Sequence, residues 1–312
     1  MENVIDCVVV GAGVGGLAAG LFLGRAGRST LIFNGGRPTI MVVETVREYL
    51  GFDGMTPDEM LEKASNEVRR YGVEILNAKV EKIIPLDNGW FNVIYPGGQV
   101  TSRSVVLATG ETYELPDISG IPEIWGRDLR VCPCFDGNEV RNGKYVVFGV
   151  GGKLAHMASW VSMWSDDITI VSEHEFSEEE TQRLSLLDIK IVRDEIAGLV
   201  HEGKTLTSVT TKNGDIIPCD ATWVSLNARA TSELASTLCN VDKLGFALTD
   251  ASGATSRPGV YAIGNAAQPW DHLAHAAAAG TRVGPVVTSY LLEQKIAERK
   301  RVRIQNNGAL IE

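Results

Sequence analysis

Apolar and polar positions along the chain fall into short blocks of two kinds. Ile5 and Cys7–Val10 form a continuous, mostly β-branched apolar run, the pattern of a strand buried on both faces. A glycine turn, a helix of small residues and a second apolar run, Thr30–Phe33, follow at once. The order strand, glycine turn, helix, strand returns in "KYVVFGVGGKLAHMASWVSMWSDDITIVSEHE", which begins at Lys144. Val105–Gly110 reads as another buried strand ending in a tight turn. Val260–Ile263 reads as a short one, followed by Gly264-Asn265 and an alanine-rich helix closing at Gly280. Strands alternating with helices in this way predict an α/β fold with parallel sheets.

The glycines give the first unit a mechanism. Gly11, Gly13 and Gly16 fit G-x-G-x-x-G. The first permits a tight turn, the second lets the backbone approach a pyrophosphate, and the third lets helix pack on strand, with the helix N-terminus facing the phosphates. A lone glycine triplet carries little weight; one set between a strand and a helix, with a second strand behind it, carries much more. The alternative is a glycine-rich turn without a ligand. Asn34 stands where an acid normally binds ribose hydroxyls; an amide can still bond ribose, without the charge. In the second unit Gly149 and Gly151 fit the first two positions, but Leu154 takes the third, where a small side chain is needed. Its second strand leads into Ser172-Glu173-His174-Glu175, acidic where a 2′-phosphate wants arginines. The expectation is a unit that keeps the fold and has lost its nicotinamide cofactor; the alternative is NADH held through Glu173. The chain is thus read as α/β with two Rossmann-like dinucleotide-binding domains.

Composition narrows the function classes. The 312 residues are enough for two domains, and 44% hydrophobic with 22% charged residues suits packed cores. A net charge of −10 disfavours nucleic acid and anionic membrane surfaces. No apolar run approaches the roughly 18 residues of a membrane span, and the N-terminus lacks the basic stretch of a signal peptide. Five cysteines, Cys7, Cys132, Cys134, Cys219 and Cys239, are too few and odd in number for a secreted disulfide framework, so a cytoplasmic location is expected.

The N-terminal "GAGVGG", the "ATG" at Ala108–Gly110, a cysteine stretch ending in Asp136-Gly137 before the second glycine turn, and "GVYAIGN" at Gly259–Asn265 run in order over nearly the whole chain. In this the chain resembles the low-molecular-weight thioredoxin reductase family of flavoprotein disulfide oxidoreductases. The resemblance implies an FAD-binding domain from residues 1–117 and 244–312, with an NAD(P)-type domain, 118–243, inserted between them and carrying the cysteines. It implies FAD on Gly11, Gly13 and Gly16, with Asn34 at the ribose and Val80 near the adenine. Ala108, Thr109 and Gly110 would join the cofactor site, and Gly264 and Asn265 would lie by the pyrophosphate and ribitol. The family usually has Asp where this chain has Asn265; similar flavoproteins that oxidise dithiols often carry Asn. The degenerate second unit is similar to that branch, the gliotoxin and holomycin dithiol oxidases. These close disulfides in small sulfur metabolites, pass electrons to FAD and then to oxygen, and lack a working NADPH site. The resemblance therefore implies a homodimeric oxidase of a small dithiol in secondary metabolism.

The stretch "VCPCFDG", Val131–Gly137, departs from the family pattern. Family members have Cys-x-x-Cys immediately before Asp-Gly or His-Gly. A gap-free alignment puts Cys132 on the first, substrate-facing cysteine and Phe135 where the flavin-facing cysteine should be, with Cys134 displaced by one. Three readings stand. Cys132 and Cys134 form a disulfide, whose Cα atoms, about 5.5–7 Å apart at this spacing, would strain it and make it more oxidising. Alternatively the cysteines are bystanders and the flavin acts directly on substrate. Metal binding is the third, disfavoured because zinc sites show wider spacing and a second ligand pair; no metal is expected. If the family role carries over, Asp136 is the acid/base, against the plainer reading of an Asp-Gly turn. His272 and His275, at the start of the alanine-rich helix, are candidate thiol bases near neutral pH, or ordinary cap and surface histidines. Cys7 reads as a buried small hydrophobe. Trp160 and Trp164, four apart, read as packing or dimer contacts, and the basic run "KIAERKRVRIQ" as a solvated helix end. Against the dithiol oxidase stand an NADH-linked disulfide reductase, favoured by Glu173, and a flavoprotein with a structural FAD, favoured by Phe135.

Overall fold

The computed structural model describes residues 4–308, which divide into two compact units. One takes the described residues of Met1–Thr39, Asp58–Thr112 and Ala228–Glu312; the other takes Ile40–Pro57 and Tyr113–Asn227.

The first unit is built on a five-stranded parallel sheet. Strand β1 (Cys7–Val10) pairs with β2 (Thr30–Phe33) on one side and with Val105–Leu107 on the other. Glu74–Leu76 and Val260–Ala262 complete the two edges. All four residues of β1 are buried, which is why it carries no polar alternation. Its pleat sends Val8 and Val10 to one face, against Val80, Ile83, Phe91 and Val93. Cys7 and Val9 go to the other face, against Leu17 and Leu23 of helix α1 (Val14–Arg25) and Val283 and Val287 of the last helix.

The last helix corrects the sequence reading. It runs Leu273–Gly308 and does not close at Gly280. Gly280 lies inside it because a side chain there would meet the α1 backbone: a Cβ would stand 2.2 Å from the Gly15 carbonyl oxygen. The glycine marks a close helix–helix approach.

The second unit repeats the design. Lys144–Gly149 is the middle strand of a parallel sheet, flanked by Asp167–Val171 and Lys190–Val192 on one side and by Ala221–Ser225 and Leu129–Arg130 on the other. This is the strand order of the first sheet except at one edge, where Leu129–Arg130 precedes the middle strand in the chain while Val260–Ala262 follows it. Val146 and Phe148 face one core; Tyr145 and Val147 face the other, under the helix Leu154–Val161. In both units the glycine turn sits at the carboxyl end of the middle strand, where the strand order reverses and open α/β sheets bind ligands.

Candidate redox site

The first glycine turn is open and ready for a pyrophosphate. Gly11 has φ +118°, and a Cβ on it would lie 2.1 Å from the Ala108 carbonyl oxygen, so no side chain fits. Gly16 presses on Gly11: a Cβ there would stand 1.9 Å from the Gly11 carbonyl oxygen. Gly13 is different, with nothing within 4 Å of where its Cβ would be. It is the N-cap of α1 and has no side chain to satisfy the first helical N–H groups, which leaves them for an anion. These residues fit the phosphates of a dinucleotide such as FAD. Asn34, at the end of β2, donates its amide to Asn77 Oδ1 at 3.0 Å. Val80 is buried in the core beside Val8 and Val10. Ala108 and Thr109 follow the strand Val105–Leu107, and Gly110 has φ +74°.

A buried acid that the sequence reading did not single out ties this unit together. Glu111 is only 3% exposed. Its Oε1 accepts from Asn265 Nδ2 at 2.7 Å and its Oε2 from the Trp270 N–H at 3.0 Å, while its carbonyl accepts from Thr39 Oγ1. Trp270 has φ +65°, a left-handed conformation that a bulky residue adopts only when held there. Glu111 thus fixes the segment from Gly264-Asn265 to the last helix. That segment ends in a pair: His275 Nδ1 lies 2.7 Å from Asp271 Oδ1, and the His272 ring is 5.8 Å from that of His275. The four-residue spacing of Asp271 and His275 was a visible signal for the pair; nothing local pointed to Glu111, whose partners lie more than 150 residues away.

In the second unit Cys132 and Cys134 form a disulfide, with Cα atoms 5.4 Å apart. This lies within the ordinary range, so the wider spacing expected from sequence, and the strain it implied, are corrected. The reason is local. Cys132 is extended (φ −143°, ψ 123°), as the residue before a proline prefers, and Pro133 begins a short helix, Pro133–Asp136. The turn from extended to helical backbone folds Cys134 back on Cys132.

Asp136, on the same turn, receives Arg130 Nη1 on Oδ2 at 2.5 Å. Arg130 also lies 3.4 Å from Asp128 Oδ1. Burial pushes the Asp136 carboxyl above its ordinary range, and the Arg130 guanidinium pulls against that. Asp136 Oδ1 is buried and has no hydrogen-bond partner among the described residues. A carboxyl held toward its neutral form with one oxygen unsatisfied is suited to exchange a proton. Gly137 has φ −63°, so it is not a left-handed turn glycine. It is bare because Trp164 packs on it, 2.9 Å from where a Cβ would be. Trp160 is half exposed, and its ring lies tilted against that of His156 with centroids 5.6 Å apart.

The second glycine turn matches the first only at its start. Gly149 has φ +115° and presses on the Ser225 carbonyl oxygen as Gly11 does on Ala108. At Gly151 the open space is gone: a Cβ would stand 2.4 Å from His174 Nδ1. Leu154 is fully buried, and the helix begins only at Leu154, after a 3-10 turn over Gly151–Lys153. In the first unit α1 starts directly after Gly13. Glu173 is exposed just past the strand Asp167–Val171. These residues do not fit a pyrophosphate as the first turn does.

The family described as pyridine nucleotide-disulphide oxidoreductase matches residues 5–280. The chain is 26% identical to the thioredoxin reductase of Listeria innocua serovar 6a over 281 residues, 85% of this chain and 86% of that protein. Among solved structures it is similar to HlmI, with TM-score 0.93, 31% identity and 98% of each chain covered. It is also similar to the putative thioredoxin reductase TrxB of Bacillus anthracis, with TM-score 0.88 and 27% identity over 93% of this chain and 99% of the other.

Proposed function

Because the chain belongs to the pyridine nucleotide-disulphide oxidoreductase family, we propose that it is an FAD-dependent oxidase of a small dithiol. The observation that carries this reading is the Cys132–Cys134 disulfide, which is the oxidised form such an enzyme needs at rest. The occupied second glycine turn supports it, since a reductase must admit a nicotinamide and an oxidase need not.

The first unit would hold FAD on Gly11, Gly13 and Gly16, with Gly264 and Asn265 beside it and Asn265 held by Glu111. A substrate thiolate attacks Cys132 Sγ, the S–S bond breaks, and Cys134 leaves as the thiolate. The second substrate thiolate then attacks the substrate sulfur bonded to Cys132, breaking the mixed disulfide, releasing Cys132 as thiolate and closing the substrate disulfide. Two thiol protons leave the substrate and two electrons pass to the cysteine pair. His275, whose Nδ1 is held by Asp271, is the candidate base for a thiol proton through Nε2; Asp136, beside the cysteines in sequence, is the candidate acid that gives a proton to the leaving Cys134 thiolate. FAD, when bound, would supply the two-electron acceptor for the reduced pair, with oxygen as the final acceptor and hydrogen peroxide as its product. Oxygen uptake with a small dithiol, and peroxide formed in equal amount, tests the reading; no uptake over the buffer rate rejects it.

A second reading, an NADH-linked disulfide reductase, is favoured by one feature. The acid Glu173 stands at the end of the second unit's second strand, where NAD ribose hydroxyls are bound. Rapid reduction of the flavin by NADH would favour it.

A further inference from the structure

The two glycine turns of this chain form an internal comparison. Their first glycines are alike in φ, +118° at Gly11 and +115° at Gly149, and each presses on a backbone carbonyl of the neighbouring strand segment. The strands around them follow the same order except at one sheet edge. The second glycines differ completely: nothing lies within 4 Å of a Cβ on Gly13, whereas on Gly151 the His174 ring would be met at 2.4 Å from Nδ1 and 2.5 Å from Cγ. The bare side of a second glycine is the space a pyrophosphate uses.

His174 is firmly held. Its backbone N–H donates to Ser172 Oγ at 3.0 Å, and its carbonyl accepts from Arg193 Nη1. Its ring meets Phe176 edge-on at 5.2 Å, and the Arg193 guanidinium lies over the same Phe176 ring at 5.6 Å. On either side of it, Glu173 and Glu175 are exposed acids.

We propose that His174 is a built-in stopper: its imidazole occupies the pyrophosphate position over Gly151 and blocks an NADH-type dinucleotide from the second unit. The flanking acids set the class of the excluded ligand. Glu173 suits unmodified ribose hydroxyls, and two carboxylates repel a 2′-phosphate, so the closed site is of NADH rather than NADPH type. This goes beyond the dithiol-oxidase reading, because dinucleotide binding is measured with neither dithiol nor oxygen present.

The test is a fluorescence titration of the purified holoprotein with NADH and with NADPH, comparing wild type, His174→Ala and Arg193→Ala. His174→Ala is expected to bind NADH at least about tenfold more tightly than wild type, and NADH more tightly than NADPH, with FAD content and dithiol oxidation unchanged. Arg193→Ala keeps the imidazole but releases its backbone, and its NADH affinity should fall between the two. The proposal is overturned if neither variant binds NADH more tightly than wild type, if wild type already binds NADH as tightly as His174→Ala, or if His174→Ala prefers NADPH.

Discussion

Asn265 donates its side-chain amide to Glu111 Oε1 at 2.7 Å, while the other oxygen of the same buried carboxylate takes the Trp270 N–H at 3.0 Å. One side chain therefore holds both ends of the segment that leads into the last helix. Glu111→Ala leaves two donors without their acceptor and should cost about 1–3 kcal/mol of stability. Glu111→Gln keeps one acceptor oxygen and should cost less. Denaturant midpoints measure the first effect. FAD retained after dialysis measures the second consequence, which should be lower in Glu111→Ala. Unchanged midpoint and unchanged FAD content would show that Glu111 does not anchor the segment.

Arg130 sets the pH at which Asp136 works. Asp136 must be protonated to give a proton to the leaving thiolate, so activity falls as pH climbs through its titration. Burial raises that titration and Arg130 restrains it. Arg130→Met removes the cation, so the alkaline limb of the kcat/KM profile that Asp136 sets should move to higher pH, and Arg130→Lys should bring it back. The same raised carboxyl makes a stability signature. The folded state holds this proton more tightly than the unfolded chain does. Its contribution is fully present below the ordinary carboxylate range and is lost as pH rises through the raised value. A limb that stays in place in Arg130→Met would remove Asp136 from the mechanism.

His275 should matter to dithiol oxidation, because a carboxylate fixes one of its ring nitrogens, Asp271 at 2.7 Å. His275→Ala should lower dithiol oxidation by about 10²-fold or more with FAD retained. Asp271→Asn should give a smaller loss. Equal activity in His275→Ala and wild type would assign His275 to the surface of the helix.

Cys132→Ser and Cys134→Ser should each abolish dithiol oxidation and leave FAD bound, since exchange needs one sulfur to be attacked and another to leave. Thiol counting after anaerobic treatment with substrate should find two additional reactive thiols in wild type and none in either variant. Full activity in either serine variant would make the pair a bystander.

Much of the fold could be read from the chain because the decisive signals were local. The apolar run Cys7–Val10 and its repeat Tyr145–Phe148 are buried on both sheet faces and so lack alternation. Gly11 and Gly16 leave no room for a side chain. What stayed hidden depends on distant residues meeting. Glu111 reaches Asn265, and His174 fills the space over Gly151, through the return of the chain rather than through any spacing. Gly280 was read as a helix end because a glycine that ends a helix and one that admits a neighbouring backbone look the same in sequence. The Cys-Pro-Cys spacing showed that a bridge was conceivable. The fold of Pro133 into a helical turn is what brings the two Cα atoms to 5.4 Å.

The central claim is that electrons enter from a dithiol and not from a nicotinamide. The direct measurement is anaerobic mixing of the purified yellow holoprotein, in separate syringes, with a small dithiol, with NADH and with NADPH, while the flavin absorbance is followed. The account predicts that the dithiol bleaches the flavin, that Cys132→Ser blocks the bleaching, that admission of oxygen restores the colour with one peroxide per flavin, and that neither nicotinamide bleaches it at a comparable rate. Fast, stoichiometric bleaching by NADH or NADPH, with none by the dithiol, would contradict it.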